Sequence, residues 1–148
     1  MRKNKVHFHS LYGRFYFPNR KKVKEFLLKL FRKEGYNLES LNIIFCKDDY
    51  LLRINKLYLD HDNYTDILTF PLHTEDKPVS SDIFISIDRI KENAKVFHTS
   101  FIKELHRVIF HGALHLCGYK DKTKGESELM RKKEEEYLNK YFVPRGTI

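Results

Sequence analysis

The chain has 148 residues, 41% of them hydrophobic and 14% aromatic, with a formal net charge of +8 and a pI near 9.4. That length suffices for one domain with its own core, and that composition excludes a disordered chain. No apolar run approaches the roughly 20 residues of a membrane span, and no apolar stretch of signal-peptide type follows the basic start Met1-Arg2-Lys3-Asn4-Lys5, so a cytoplasmic protein with no membrane partner is expected.

Val6-His7-Phe8-His9 alternates as a strand does, with His7 and His9 on its solvated side. The aromatic stretch Arg14 to Phe17 is expected to continue it after a turn at Gly13. Asn19 is placed to cap a helix running to about Glu34, with Val23, Phe26, Leu27, Leu30 and Phe31 as its apolar stripe and Gly35 as its stop. Its lysines, Lys21, Lys22, Lys24, Lys29 and Lys33, read as a solvated face. Leu41 to Cys46 is a strand, and Asp48 or Asp49 caps a helix with Leu51, Ile54, Asn55 and Tyr58 at helical spacing. Asp60 to Asp66 is a polar loop, and Ile67 to Phe70 a strand ended by Pro71. Ile83 to Ile87 is apolar enough for a central strand. Asp88 is expected to cap a short helix with Ile90, Ala94 and Phe97 inward, and Ser100 to cap the next, which buries Phe101, Leu105, Val108, Ile109 and Leu116. Thr123 or Ser127 starts a final charged helix with Leu129, Tyr137 and Tyr141 inward. There is no internal repeat, low-complexity segment or linker, so residues 1–148 read as a single α/β domain. Helix and strand alternate, which implies a mixed sheet of about four strands flanked by about five helices.

With only Cys46 and Cys117, a disulfide framework is not expected, and both thiols read as small core residues. The basic balance favours a polyanionic partner through phosphate contacts and counterion release.

The chemistry concentrates in His111-Gly112-Ala113-Leu114-His115-Leu116-Cys117-Gly118-Tyr119-Lys120-Asp121. Residues i and i+4 share a helix face, so His111 and His115 can bind one metal ion. Gly112 keeps the helix surface thin beside the first ligand, and Gly118 suits a left-handed turn that brings Asp121 back as the third ligand. Three protein ligands and an open position form the pattern of a catalytic zinc site. Arg107 and Glu104 lie one and two turns earlier on the same face. Arg107 reads either as a phosphate contact or support for the ligands, or as a surface arginine in an intrahelical salt bridge. Arg53, Lys56 and Arg107 are expected to line a basic groove beside the metal, because their helices are expected to flank the site. His106 lies off the ligand face, and nothing marks His61, His73 or His98 as ligands.

The stretch resembles the signature of the YbeY family, metal-dependent endoribonucleases of bacterial rRNA maturation: His-Gly-x-Leu-His-Leu-x-Gly-Tyr-Asp-His. The match runs from His111 through Tyr119; Lys120 then stands in place of Asp, and Asp121 in place of the third metal-binding His. Asn55, Tyr58 and Thr65-Asp66-Ile67-Leu68-Thr69-Phe70-Pro71 resemble the family's Leu-Asn…Tyr-Arg…Thr-Asp-Val-Leu-Ser-Phe-Pro segment, with Leu59 where the arginine stands. Ser81-Asp82-Ile83-Phe84-Ile85-Ser86 resembles its Gly-Asp-Ile-x-Ile-Ser strand. A carboxylate oxygen is an accepted zinc ligand, harder in character than imidazole. The resemblance implies single-stranded RNA as substrate, with rRNA processing on ribosomal particles as the setting.

Gly112 replaces the glutamate of His-Glu-x-x-His metalloproteases, which disfavours peptide hydrolysis. Phosphodiester cleavage by a metal-bound water fits the charge, with Asp66, Asp82, Glu104 and Glu126 as candidate proton carriers. The rivals are a non-catalytic RNA-binding ribosome-assembly factor with a structural metal, and a structural metal protein with a protein partner.

Overall fold

The computed structural model describes residues 4–59 and 65–143. Along the chain come β1 (Val6–Ser10), α1 (Arg20–Lys33), β2 (Leu38–Cys46), α2 (Asp48–Leu59), β3 (Ile67–Pro71), β4 (Val79–Ser86), α3 (Ile87–Val96), α4 (Phe101–Leu116) and α5 (Lys124–Phe142). The strands form one mixed sheet of four in the order β1-β2-β4-β3. β1 and β4 both run parallel to β2, and β3 closes the edge antiparallel to β4. The α/β sheet and helix set expected from the sequence are therefore present.

Strand side chains alternate between two faces, and the two faces have different covers. Leu41, Ile43, Phe45, Ile83 and Ile85 pack with Val23, Leu27, Leu30 and Phe31 of α1, with Leu105, Ile109, Phe110 and Ala113 of α4, and with Met130, Tyr137 and Tyr141 of α5. On the other face, Leu68, Phe70 and Phe84 meet Leu51, Ile54 and Tyr50 of α2. The helix carrying His111 and His115 is therefore separated from α2 by the sheet. α4 is buried almost all round, as a central helix must be. Ser100 caps it by accepting from the Lys103 N–H at 3.0 Å.

Several local expectations change. Residues 14–17 form no strand; Phe15 and Phe17 instead turn their rings edge-on to Phe45, at 4.9 and 5.4 Å between centroids, so burial of aromatic surface decides the segment. Asn19 precedes α1 in a left-handed conformation, φ 58°, and its side chain makes no capping bond. β2 and β4 begin earlier than the apolar runs suggest, because Leu38 pairs with Val79 across polar Ser40 and Ser80. Ser86, not Asp88, caps α3. Phe97 is exposed at the end of α3, and Leu129 is exposed while Met130 fills the inward position of α5. Thr123 starts α5 through a reciprocal capping box with Glu126. His61 and most of the expected loop from Asp60 lie outside the described residues. Among the described residues, no helix is long and apolar enough to cross a membrane.

Candidate metal centre

Two glycines let the local sequence build the site. A Cβ on Gly112 would stand 2.8 Å from Ile67 Cδ1 and 3.2 Å from Ile83 Cδ1, so the absent side chain lets α4 lie against β3 and β4 beside the first histidine. Gly118 takes φ +95°, a left-handed value that side chains resist. Its N–H donates to the His115 carbonyl at 3.0 Å, and the Tyr119 N–H donates to the Leu114 carbonyl at 3.1 Å. Those two bonds make a Schellman end to α4 and turn the chain back over the last helical turn.

The turn delivers Asp121. Its Oδ2 lies 3.4 Å from His111 Nε2 and 3.5 Å from His115 Nε2, and the two rings are 4.5 Å apart between centroids. The tautomers follow from the partners on the other ring nitrogens. His115 Nδ1 is 2.9 Å from the Tyr119 carbonyl oxygen, which can only accept, so Nδ1 carries the proton. His111 Nδ1 is 2.5 Å from Glu134 Oε2 and donates likewise. In the neutral rings both Nε2 atoms are thus left with lone pairs, aimed at a carboxylate oxygen that also has only lone pairs. A cation among them resolves that clash of acceptors. Tetrahedral zinc with ligands at roughly 2.0–2.2 Å spaces its donor atoms about 3.3–3.6 Å apart, which the 3.4 and 3.5 Å separations from Asp121 Oδ2 match. Among the described residues, His111, His115 and Asp121 form the one group of three or more such side chains placed to hold a metal. Asp121 is exposed, so the site opens to solvent.

Behind the two histidines lies a charged network. Arg107 donates from Nη1 to Glu134 Oε1 at 2.9 Å, and from Nε and Nη2 to Glu104 at 2.8 and 2.7 Å. Its Nη2 is also 4.0 Å from Asp66 Oδ2. Glu104 and Glu134 are buried. Burial works against the Arg107 charge, but those two carboxylates outweigh it and hold the guanidinium protonated. Burial pushes the Asp66 carboxyl above the usual carboxylate range, against the opposing charges of Arg107 and His111. For Glu134, burial acts upward, but the hydrogen bond with His111 and the Arg107 charge leave it below that range.

Of the residues singled out in the sequence, His111, His115 and Asp121 converge and Arg107 stands behind them. Arg53 and Lys56 are not brought beside them: both belong to α2, across the sheet from α4, and Arg53 borders an apolar groove with Tyr50, Ile54, Tyr58 and Phe70. Of the candidate proton carriers, Asp66 and Glu104 border Arg107. Asp82 accepts from the Asn42 amide at 3.0 Å on the sheet, and Glu126 is engaged in the α5 capping box. Cys117 is buried, its thiol pushed up to about 12 by burial, as suits an inert core residue. Glu134 was not legible as a site residue because it comes from another helix. The available signal was a lone carboxylate on the buried stripe Met130, Glu134, Tyr137, Leu138 and Tyr141.

Residues 16–142 match the family model described as Endoribonuclease YbeY. An "Endoribonuclease YbeY" of Cytophaga hutchinsonii is 45% identical over 139 residues, covering 94% of this chain and 97% of the relative. One of Karelsulcia muelleri, with the same name, is 47% identical over 138 residues, covering 93% and 92%. A protein of Thermotoga maritima with a known solution structure superposes with a TM-score of 0.63 at 30% identity, over 92% of this chain and 88% of that one.

Proposed function

The chain belongs to the endoribonuclease YbeY family, and from that premise we propose that it is a zinc-dependent hydrolase that cuts single-stranded RNA internally during rRNA processing and ribosome maturation in the cytoplasm. The observation that carries this reading is the convergence of His111 Nε2, His115 Nε2 and Asp121 Oδ2 on one point at the solvent face. Zinc bound there supplies a Lewis acid for a phosphoryl oxygen and lowers the pKa of a water toward neutrality.

The chain's own groups do the rest. Glu134 and the Tyr119 carbonyl hold the two imidazoles in the tautomer that presents Nε2. Arg107 compensates the buried charges of Glu104 and Glu134, and so keeps the support rigid; as a phosphate contact it has little donor capacity left over. Hydrolysis joins a water oxygen to phosphorus and breaks one phosphorus–oxygen ester bond, and the departing oxygen takes a proton. Asp66, whose carboxyl burial raises above the usual range, is the group proposed to pass the proton lost by the water to that oxygen. Arg53 and Lys56, on α2 near the edge strand β3, are proposed contacts for RNA away from the scissile phosphate, with the net charge of +8 favouring the polyanion.

The test pairs metal stoichiometry with cleavage of a single-stranded RNA by the wild type and His115→Ala. The expected result is one metal ion per chain and cutting in the wild type, both lost in the variant while RNA binding persists. A fully loaded wild type that binds RNA without cutting it overturns the enzymatic reading in favour of a non-catalytic assembly factor.

A further inference from the structure

The Schellman end of α4 leaves one degree of freedom that the metal centre depends on. Its two bonds place the N–H groups of Gly118 and Tyr119, but not the rotation of the main chain beyond the Tyr119 Cα. That rotation sets the direction of the Tyr119 carbonyl, which orients His115, and the path to Asp121 two residues on. A contact from outside the motif can add to the hold of His115 Nδ1 on that carbonyl.

Glu34 is in place to do so. It is the C-cap residue of α1, and its side chain is 11% exposed. One carboxylate oxygen accepts from the Tyr119 hydroxyl at 2.8 Å; the other accepts a short hydrogen bond from the buried Tyr137 of α5 and lies 3.8 Å from Lys133 Nζ. Lys133 in turn sits over the Tyr119 ring, 5.9 Å from its centroid. The carboxylate thus ties together the end of α1, the turn after α4 and the middle of α5. None of these groups touches the ligand atoms, and none is needed by the proton transfers described above. Tyr36, which follows the same helix end, closes over the turn from the other side: a Cβ on Gly118 would meet its hydroxyl at 3.3 Å.

We infer that Glu34 is a positioning residue for the metal centre, acting through the Tyr119 hydroxyl to fix the carbonyl that orients His115 and the turn that presents Asp121. The chain of contacts is Glu34 Oε1 to Tyr119 Oη, Tyr119 O to His115 Nδ1, and His115 Nε2 toward Asp121 Oδ2. The α1 end is therefore an element of the site, although it lies about 80 residues from the motif in sequence, a separation that leaves only packing to connect them. The inference rests on the metal reading of His111, His115 and Asp121.

The experiment measures metal affinity with zinc alone, by chelator competition, and the absorption spectrum of the cobalt-substituted protein, for the wild type, Tyr119→Phe, Glu34→Gln and Asp121→Ala. Tyr119→Phe keeps the ring and the carbonyl and removes only the tether. It is expected to weaken zinc binding by about tenfold, the lower end of the effect of losing a partner behind a ligand, and to shift the cobalt bands. Glu34→Gln keeps an acceptor without the charge and should fall between Tyr119→Phe and the wild type. Ser100→Ala, which removes the cap at the far end of α4, serves as a matched control that lowers the melting temperature with no change in affinity or spectrum. Wild-type affinity and spectrum in Tyr119→Phe, with Asp121→Ala losing the metal, overturn the role of Glu34 alone. Undiminished zinc binding in Asp121→Ala overturns the metal reading beneath it.

Discussion

Glu134 Oε2 lies 2.5 Å from His111 Nδ1, so a carboxylate of α5 sets the ring of a histidine on α4. The other oxygen of Glu134 is held by Arg107 at 2.9 Å, which keeps the carboxylate from rotating away. A histidine backed in this way has its tautomer and its angle chosen before any ion arrives. Removing Glu134 should therefore cost affinity without removing a ligand. Glu134→Ala is expected to weaken zinc binding by about 10–100-fold, and Glu134→Gln, which still accepts from Nδ1, by less. Chelator competition measures both, and equal affinity in the alanine variant and the wild type would contradict the assignment.

Asp121→His should keep the metal and Asp121→Ala should lose most of it. An imidazole at 121 supplies one donor atom from a turn already fixed by Gly118, whereas alanine supplies none. RNA cleavage should track metal occupancy across the three proteins, with folding followed by circular dichroism. Full occupancy and full rate in the alanine variant would remove Asp121 from the site.

Position 112 should tolerate alanine and reject valine. The 2.8 and 3.2 Å approaches of an added Cβ are to the terminal methyls of Ile67 and Ile83, which can swing away, and alanine gains up to about 1 kcal/mol of helix propensity over glycine. Valine adds two further methyls against two strands and is expected to cost about 1–3 kcal/mol by overpacking. Urea denaturation reads both values; valine as stable as glycine would show that α4 does not press on the sheet here.

Stability should fall in mild acid through His106. Burial among Phe17, Phe110, Tyr141 and Phe142 lowers its pKa, with Lys22 acting the same way and the Ile102 carbonyl opposing. The unfolded chain, with an ordinary value of about 6.5, then binds a proton that the folded chain refuses. Stability from this residue is complete above that value and declines as the pH drops through it toward the lower folded pKa. The difference in urea midpoint between the wild type and His106→Phe, followed from pH 7.5 to 5 as a chosen range for the titration, should change across about pH 6.5. A constant difference would mean that His106 titrates normally in the fold.

The amino-acid sequence by itself determined the element order, the four-stranded α/β character and the convergence of three side chains that could hold a metal, because each rests on short-range regularities: alternation in strands, helical spacing, a glycine turn. His111, His115 and Asp121 are within eleven residues of one another, so one helix and one turn suffice to bring them together. What tertiary structure decided has no such local rule. Which face of the sheet each helix covers was settled by packing, with α1, α4 and α5 on one face and α2 on the other, and this placed Arg53 and Lys56 across the sheet from Arg107. The aromatic run at 14–17 reads as a strand but folds as a loop, with the rings of Phe15 and Phe17 edge-on to Phe45. Glu134 and Glu34 sit on helices distant in sequence, and only packing brings the first against His111 and the second against Tyr119. A carboxylate becomes part of a metal site through what its oxygen meets in space, and a contact between remote helices leaves no spacing in the chain to read.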